Sequence, residues 1–188
     1  DDGITWRWLA EIPTRPNDSL DRYDELHAIE TAEGQIIAHI RNGSNLTREQ
    51  MLDGHGETLQ SESTDGGKTW SVPHPIGVHG FPSHLMRLRD GRLLISYGHR
   101  REPLGNQASV SENHGRTWSE PMIISKDGTS NDLGYPSTVE LDDGSLLTVW
   151  YEVITHSPED LENHLDRNHG EARSDLRAVL RQARWSIR

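Results

Sequence analysis

Polar and apolar residues alternate along this chain in short runs, and the runs come in pairs. His27 to Ile40 reads HAIETAEGQIIAHI, Leu85 to Tyr97 reads LMRLRDGRLLISY, and Thr138 to Tyr151 reads TVELDDGSLLTVWY. Each is a short apolar strand, an acidic-Gly turn and a second β-rich strand, the strongest local signal for a β-hairpin. Polar residues alternate before the turn (Arg87 and Arg89; Glu140 and Asp142), which leaves Met86, Leu88, Val139 and Leu141 to face a core. One stretch departs from this pattern, residues 157–175. Its acidic run Glu159-Asp160-Leu161-Glu162 predicts a solvated insertion or a short helix between the last two strands. Residues 177–187 alternate again, as a closing strand would.

A second pattern interleaves with the hairpins. Ser63-Thr64-Asp65-Gly66-Gly67-Lys68-Thr69-Trp70 is a complete S-x-D-x-G-x-T-W, and Ser111 to Trp118 repeats it with Asn113 in place of the Asp. The chain opens on a third copy, Asp1-Asp2-Gly3-Ile4-Thr5-Trp6, without the leading Ser. The physics of this box is that of a turn. Asp or Asn accepts backbone N–H groups that have no ladder partner, and Gly permits a positive φ. The Trp anchors the turn while its indole N–H finds an acceptor. Asn113 does this as well as Asp does, whereas acid chemistry would not survive the exchange. Asp1, Asp65 and Asn113 are therefore read as structural.

Box and hairpin alternate three times at a repeat of roughly fifty residues, the signature of a blade-by-blade all-β fold. The expectation is three four-stranded antiparallel blades about a common axis, with the boxes on the outer rim. Residues 1–23 are read as the remnant of a preceding blade, and 24–80, 81–132 and 133–188 as successive blades of one partial propeller domain. The truncated first box predicts that the chain begins within a blade and is part of a larger protein.

Composition agrees: 32% hydrophobic residues, yet six Trp and 17 Gly, as short strands with many turns require. The net charge of −11 argues against nucleic-acid binding. No segment has the length of a membrane-spanning helix. With zero Cys, disulfides and thiolate metal sites are excluded, and the compartment stays open, secreted or periplasmic both being compatible. His164 and His169 stand five apart in the polar stretch, but two ligands do not make a convergent metal site. No metal and no cofactor are called for.

The boxes carry a resemblance: the chain is similar to the sialidase (neuraminidase) superfamily of Asp-box, or BNR-repeat, β-propellers. That resemblance implies a six-bladed ring with the active site at its centre, of which this chain looks like the C-terminal half. In the family this half carries a Glu, two of three arginines that grip the substrate carboxylate, and a nucleophilic Tyr. Here Glu25 opens the first hairpin and Arg41 closes it sixteen residues later. His99-Arg100-Arg101 ends the next hairpin, and the last begins Gly134-Tyr135-Pro136-Ser137 and runs to Tyr151-Glu152. The resemblance thus implies Tyr135 as nucleophile, Glu25 as its base, and Arg41 with Arg100 or Arg101 as the carboxylate clamp. Which of the two adjacent arginines faces the axis is open at this level.

The residue types suit the chemistry. A sialic acid is anionic and would repel a carboxylate nucleophile, and sialidases use Tyr instead. A phenol with a pKa near 10 needs a base, and arginines bring planar, permanent charge that matches a carboxylate. Those arginines are also expected to lower the phenol's pKa. Each residue has a plainer role open to it. In that role Tyr135 is simply the aromatic that starts this strand, as Phe81 starts its sibling, Glu25 a solvated strand-end acid, and the arginines surface cations.

Three functions are consistent with these residues: an exo-α-sialidase-like retaining glycoside hydrolase, a related hydrolase for another acidic sugar, and a non-catalytic Asp-box propeller that binds glycans or proteins. The partners implied are a sialoside or other acidic glycan and the missing N-terminal half of the ring. The first Arg and the acid/base Asp are expected in that half, so the chain alone is expected to be inactive.

Overall fold

The computed structural model describes residues 3–43, 47, 49–50, 56–154 and 177–187. A single 3₁₀ turn, Leu20–Arg22, leads into three antiparallel sheets. The first is β1 (Tyr23–Glu30), β2 (Ile36–Asn42), β3 (Glu57–Ser63) and β4 (His74–Pro75), in that spatial order. The second repeats it with β5 (Ser83–Arg87), β6 (Leu93–His99), β7 (Gly105–Ser111) and β8 (Met122–Ser125). The third has β9 (Leu133–Glu140), β10 (Leu146–Ile154) and β11 (Arg177–Trp185). It shows three strands among the described residues, where four were expected. The expected helix or insertion at 157–175, the pair His164 and His169, and Asp1 all lie outside the described residues.

The three hairpins form as their turns dictate. Thr31, Leu88 and Leu141 each donate an amide to the carbonyl four residues on, at 2.8 Å in every case, around Gly34, Gly91 and Gly144. The first strands β1, β5 and β9 pack side by side, so the box turns, between third and fourth strands, lie at the far edge of each sheet. In the first box Asp65 accepts the amides of Lys68 and Thr69 at 3.0 and 2.9 Å and the Thr69 hydroxyl at 2.7 Å. These bonds, those from Thr69 foremost, hold its carboxyl down to about 2. Asn113 accepts the Thr117 amide at 2.9 Å, but its own NH₂ donates to the Thr117 hydroxyl at 2.7 Å. The hydroxyl reverses its role, and so Asn can replace Asp.

The core lies between sheets. Ile37, Val78, Leu85, Leu93, Ile95 and Tyr97 fill the first interface, and Leu88, Leu94, Ala108, Val110 and Leu146 the second. Strand β6 feeds both, Leu93, Ile95 and Tyr97 to one side and Leu94 to the other, which is why it reads as an unbroken buried run. Each such side chain contributes roughly 1.5–3 kcal/mol on burial. The second box turn also reaches the first sheet. A Cβ on Gly115 (φ +86°) would stand 2.3 Å from Ile37 Cδ1, so only Gly fits. Val139 differs from expectation: it is half exposed, as Val149 nearly is, and Leu180 beside them is almost wholly exposed, because this face of the third sheet meets no further sheet among the described residues.

Histidines join the sheets. His39 is fully buried, and its partners set the tautomer: Nε2–H donates to Gln60 Oε1 at 3.0 Å while Nδ1 faces the Ser83 hydroxyl at 3.4 Å. His27 Nδ1 accepts the Leu85 amide at 3.2 Å, and His84 Nδ1 accepts the Thr138 amide at 3.4 Å. Burial pushes His39 and His84 down to about 4 and lowers His27 as well.

Acid should therefore loosen the fold. In His39 the folded pKa lies below the unfolded one, so the unfolded chain takes up the proton first as pH falls. Its contribution is complete above the unfolded value of 6.5 and is lost progressively down to about 4. For this fully buried group that loss is roughly 3 kcal/mol. Urea unfolding at pH 7.5 and 4.5 is expected to show a smaller stability difference in His39→Gln than in the parent; equal differences would refute the assignment.

Candidate active site

Two irregular backbone positions create the site. Asp24 pairs with Arg41 and Leu26 with Ile40, so Glu25 is an extra residue in β1, a bulge with φ +20°. In β9, Ser137 pairs with Val149 and Gly134 with Tyr151, so Tyr135 and Pro136 together oppose Trp150, and Tyr135 sits at φ +52°. Both side chains are turned out of the ordinary alternation. Non-glycine residues at positive φ cost about 1–3 kcal/mol each and persist where packing holds them. Here Gly134 supplies the packing: its Cα would lie 3.0 Å from a Cβ on Gly98, so β6 and β9 are in close backbone contact beside Tyr135.

The bulges bring distant groups together. The Tyr135 hydroxyl donates a short hydrogen bond to Glu25 Oε1 across 110 residues of sequence. Arg41 Nη1 donates to both Glu25 oxygens, at 2.9 and 2.8 Å, and stands 3.5 Å from the Tyr135 oxygen. Arg41 is nearly buried and Glu25 about one-third exposed. Arg100 lies with its guanidinium carbon 5.9 Å from the Tyr135 ring centre, and its Nε donates to the Leu133 carbonyl at 3.1 Å. Its terminal nitrogens make no hydrogen bond among the described residues. Arg101 is not in this group; its Nη2 is directed to the Gly56 carbonyl, 3.4 Å away. Of the sequence candidates, Glu25, Arg41, Arg100 and Tyr135 converge and Arg101 does not.

Electrostatics correct one expectation. The Tyr135 phenol is raised, not lowered. Burial is the largest cause and the Glu25 hydrogen bond and charge come next, while Arg41 and Arg100 pull the other way and lose. Arg100 is itself lowered, first by burial and then by the like charge of Arg41.

Three residues were missed as site members. Phe81 lies under both guanidiniums, 4.8 Å from that of Arg41 and 5.7 Å from that of Arg100. Its signal was present, since it holds in the second sheet the place of Tyr135 in the third. The Tyr151 ring is tilted against that of Tyr135, 5.6 Å between centres, and its hydroxyl donates a short hydrogen bond to Asp132. Nothing in the alternation of β10 marks Tyr151, because the β9 bulge opposite shifts the register there.

Comparison with known proteins places this arrangement in context. Residues 1–148 match the BNR repeat-like domain. No curated protein matches the chain. Among solved structures, a Dyadobacter fermentans protein of unknown function is similar over 100% of the chain, with 26% identity and a TM-score of 0.72. The GH93 α-L-arabinofuranosidase of Fusarium graminearum is similar over 86%, with 14% identity and a TM-score of 0.54. A polysaccharide lyase of family PL25, an ulvan lyase, is similar over 69%, with 15% identity and a TM-score of 0.51. The likeness to the last two is one of fold alone. The chain spans 44%, 45% and 32% of these three proteins, less than half of each.

The Tyr135–Glu25 contact is testable in solution. With ¹³C-labelled tyrosine, Tyr135 is expected to titrate above the ordinary value of 10. In Glu25→Gln, which removes the negative charge and leaves Arg41 without its partner, the titration should move to lower pH. An unchanged midpoint would mean that the two groups do not touch.

Proposed function

The chain belongs to the BNR repeat-like domain family, and on that premise we propose that its sheets are blades of a six-bladed propeller of sialidase type. In this reading it carries the C-terminal part of an exo-α-sialidase-like glycoside hydrolase that retains anomeric configuration. The observation that carries the reading is the meeting of the Tyr135 hydroxyl, the Glu25 carboxylate and the Arg41 guanidinium, with Arg100 alongside.

The parts divide the work. Glu25 takes the phenolic proton as the Tyr135 oxygen attacks the anomeric carbon, and the bond to the leaving group breaks. Arg41 holds Glu25 in place by donating to both of its carboxylate oxygens. A phenol raised above its ordinary pKa is a stronger nucleophile once deprotonated, which makes the adjoining base necessary. The terminal nitrogens of Arg100, which make no hydrogen bond among the described residues, form a planar fork for a substrate carboxylate. Arg41 and Arg100 stand against the carboxylates of Glu25 and Asp132, so an anionic sugar is held by the geometry of the Arg100 fork and not by a net positive charge. Water then attacks the anomeric carbon as the bond to Tyr135 breaks; Glu25 returns its proton to the phenolate, and the proton lost by water goes to the conjugate base of the acid that served the leaving group. The acid that protonates a poor leaving group is not among these four residues.

A second reading keeps the chemistry and changes the sugar. These four groups address a carboxylate and an anomeric carbon and nothing peculiar to sialic acid, so a hydrolase for another acidic sugar is consistent with them.

A difluorinated sialic acid with fluoride at the anomeric carbon tests the nucleophile directly, because fluoride leaves without a general acid. Covalent labelling is expected on the peptide that contains Tyr135. It should vanish in Tyr135→Phe and slow by about 10²–10⁴-fold in Glu25→Gln. Labelling of another residue would end the Tyr135 assignment; labelling only by a uronic acid analogue would select the second reading.

A further inference from the structure

The candidate site holds a second tyrosine to which the proposed reaction gives no task. Tyr151 stands on β10, where its direct partner across the ladder, Gly134, has no side chain. Its ring meets that of Tyr135 instead, with 5.6 Å between centres and 41° between planes. Its hydroxyl donates to the Asp132 carboxylate. Asp132 is itself held at two points: its amide donates to the hydroxyl of the buried Ser130 at 3.1 Å, and its carbonyl accepts the Val153 amide at 2.8 Å. The ladder thus fixes one end of Tyr151 and Asp132 the other.

Tyr135 lacks that support of its own. It leaves the backbone at φ +52° and is 44% exposed, and its hydrogen bond to Glu25 fixes only the phenol oxygen. A bond to one atom leaves the ring free to turn about its side-chain torsions, whereas a neighbouring ring restrains it along a whole face or edge. We propose that Tyr151, anchored by Asp132, is a positioning residue for the nucleophile: it holds the Tyr135 ring where the phenol oxygen stays on Glu25 and in line with the anomeric carbon.

Tyr151 and Asp132 are the same two groups as Tyr135 and Glu25, a phenol on a carboxylate, yet they do different work. Burial is the largest cause that raises the Tyr151 phenol, the Asp132 hydrogen bond and charge come next, and the charge of an ionised Tyr135 adds to them. When Tyr135 gives its proton to Glu25, Tyr151 therefore keeps its own and stays a neutral, anchored ring. Asp132 serves the site a second time. Its charge acts on Arg100 to favour the cation, against burial and against Arg41. The demand for such support is steep, because attack needs aligned atoms and a displacement of about 1 Å costs on the order of 10²-fold in rate.

The inference rests on Tyr135 as the nucleophile, and two variants test it with the same difluorinated sialic acid. Tyr151→Phe keeps the ring and removes its bond to Asp132; Tyr151→Leu removes the ring. The limiting rate of labelling at Tyr135 is expected to fall about tenfold in the first and about 10²-fold in the second, with the half-saturating fluorosugar concentration unchanged. In both, the ¹³C titration of Tyr135 should move to lower pH, further in Tyr151→Leu, since a ring that leaves Glu25 loses the burial and the contact that raise it. Limiting rates at the parent value, with only the urea midpoint lowered, would make Tyr151 a packing residue and overturn the proposal. A loss carried by half-saturation alone would overturn it too. If the parent itself does not label, the nucleophile assignment falls, and the Tyr135 titration still decides this proposal: unchanged in both variants, it would show that Tyr151 does not hold the ring.

Discussion

Among the described residues no ladder of backbone hydrogen bonds joins one sheet to the next, so side chains must hold the inner strands side by side. Two imidazoles do so, His27 accepting the Leu85 amide and His84 accepting that of Thr138. A protonated imidazole has no lone pair to offer, and the joints exist only while these rings are neutral. Burial secures that condition by disfavouring the charged form. Behind them His39, fully enclosed between Gln60 and Ser83, ties the second strand of one sheet to the first strand of the next.

The candidate site exploits what the regular part of the fold forbids. Alternation along β1 and β9 would send successive side chains to opposite faces. One extra residue in each strand breaks that rule at Glu25 and at Tyr135. The aromatic floor under the arginines serves a related purpose. Phe81 lets two like charges lie close to one another by giving each a π face, and Gly43 makes room for the ring, since a Cβ there would stand 2.7 Å from it.

Much of this was legible in the sequence because the information is local. An acidic-Gly turn between alternating strands needs no distant partner to form, and the box carries its own acceptors, so hairpins and turns followed directly. Glu25, Arg41 and Tyr135 were legible through their order along the repeats. What could not be read depends on neighbours in space. Arg100 and Arg101 are adjacent at the end of β6, where pairing ceases, and only the Gly56 carbonyl shows where Arg101 goes. The direction of the Tyr135 shift turns on its surroundings: burial is the largest cause, contact with Glu25 adds to it, and the arginines act from farther away. Val139 has the spacing of a core residue, but spacing cannot reveal that a face goes uncovered.

Each sheet is drawn from one continuous stretch of chain, and that has a consequence for synthesis. Pairings within a sheet are between near neighbours in sequence, so each sheet can form soon after its last strand leaves the ribosome. The contact between Glu25 and Tyr135 is different, for it spans 110 residues and requires the first and third sheets together. The phenol therefore meets its base only after most of the chain has been made and packed. Nascent chains stalled before β9 would hold two folded sheets and no reactive centre.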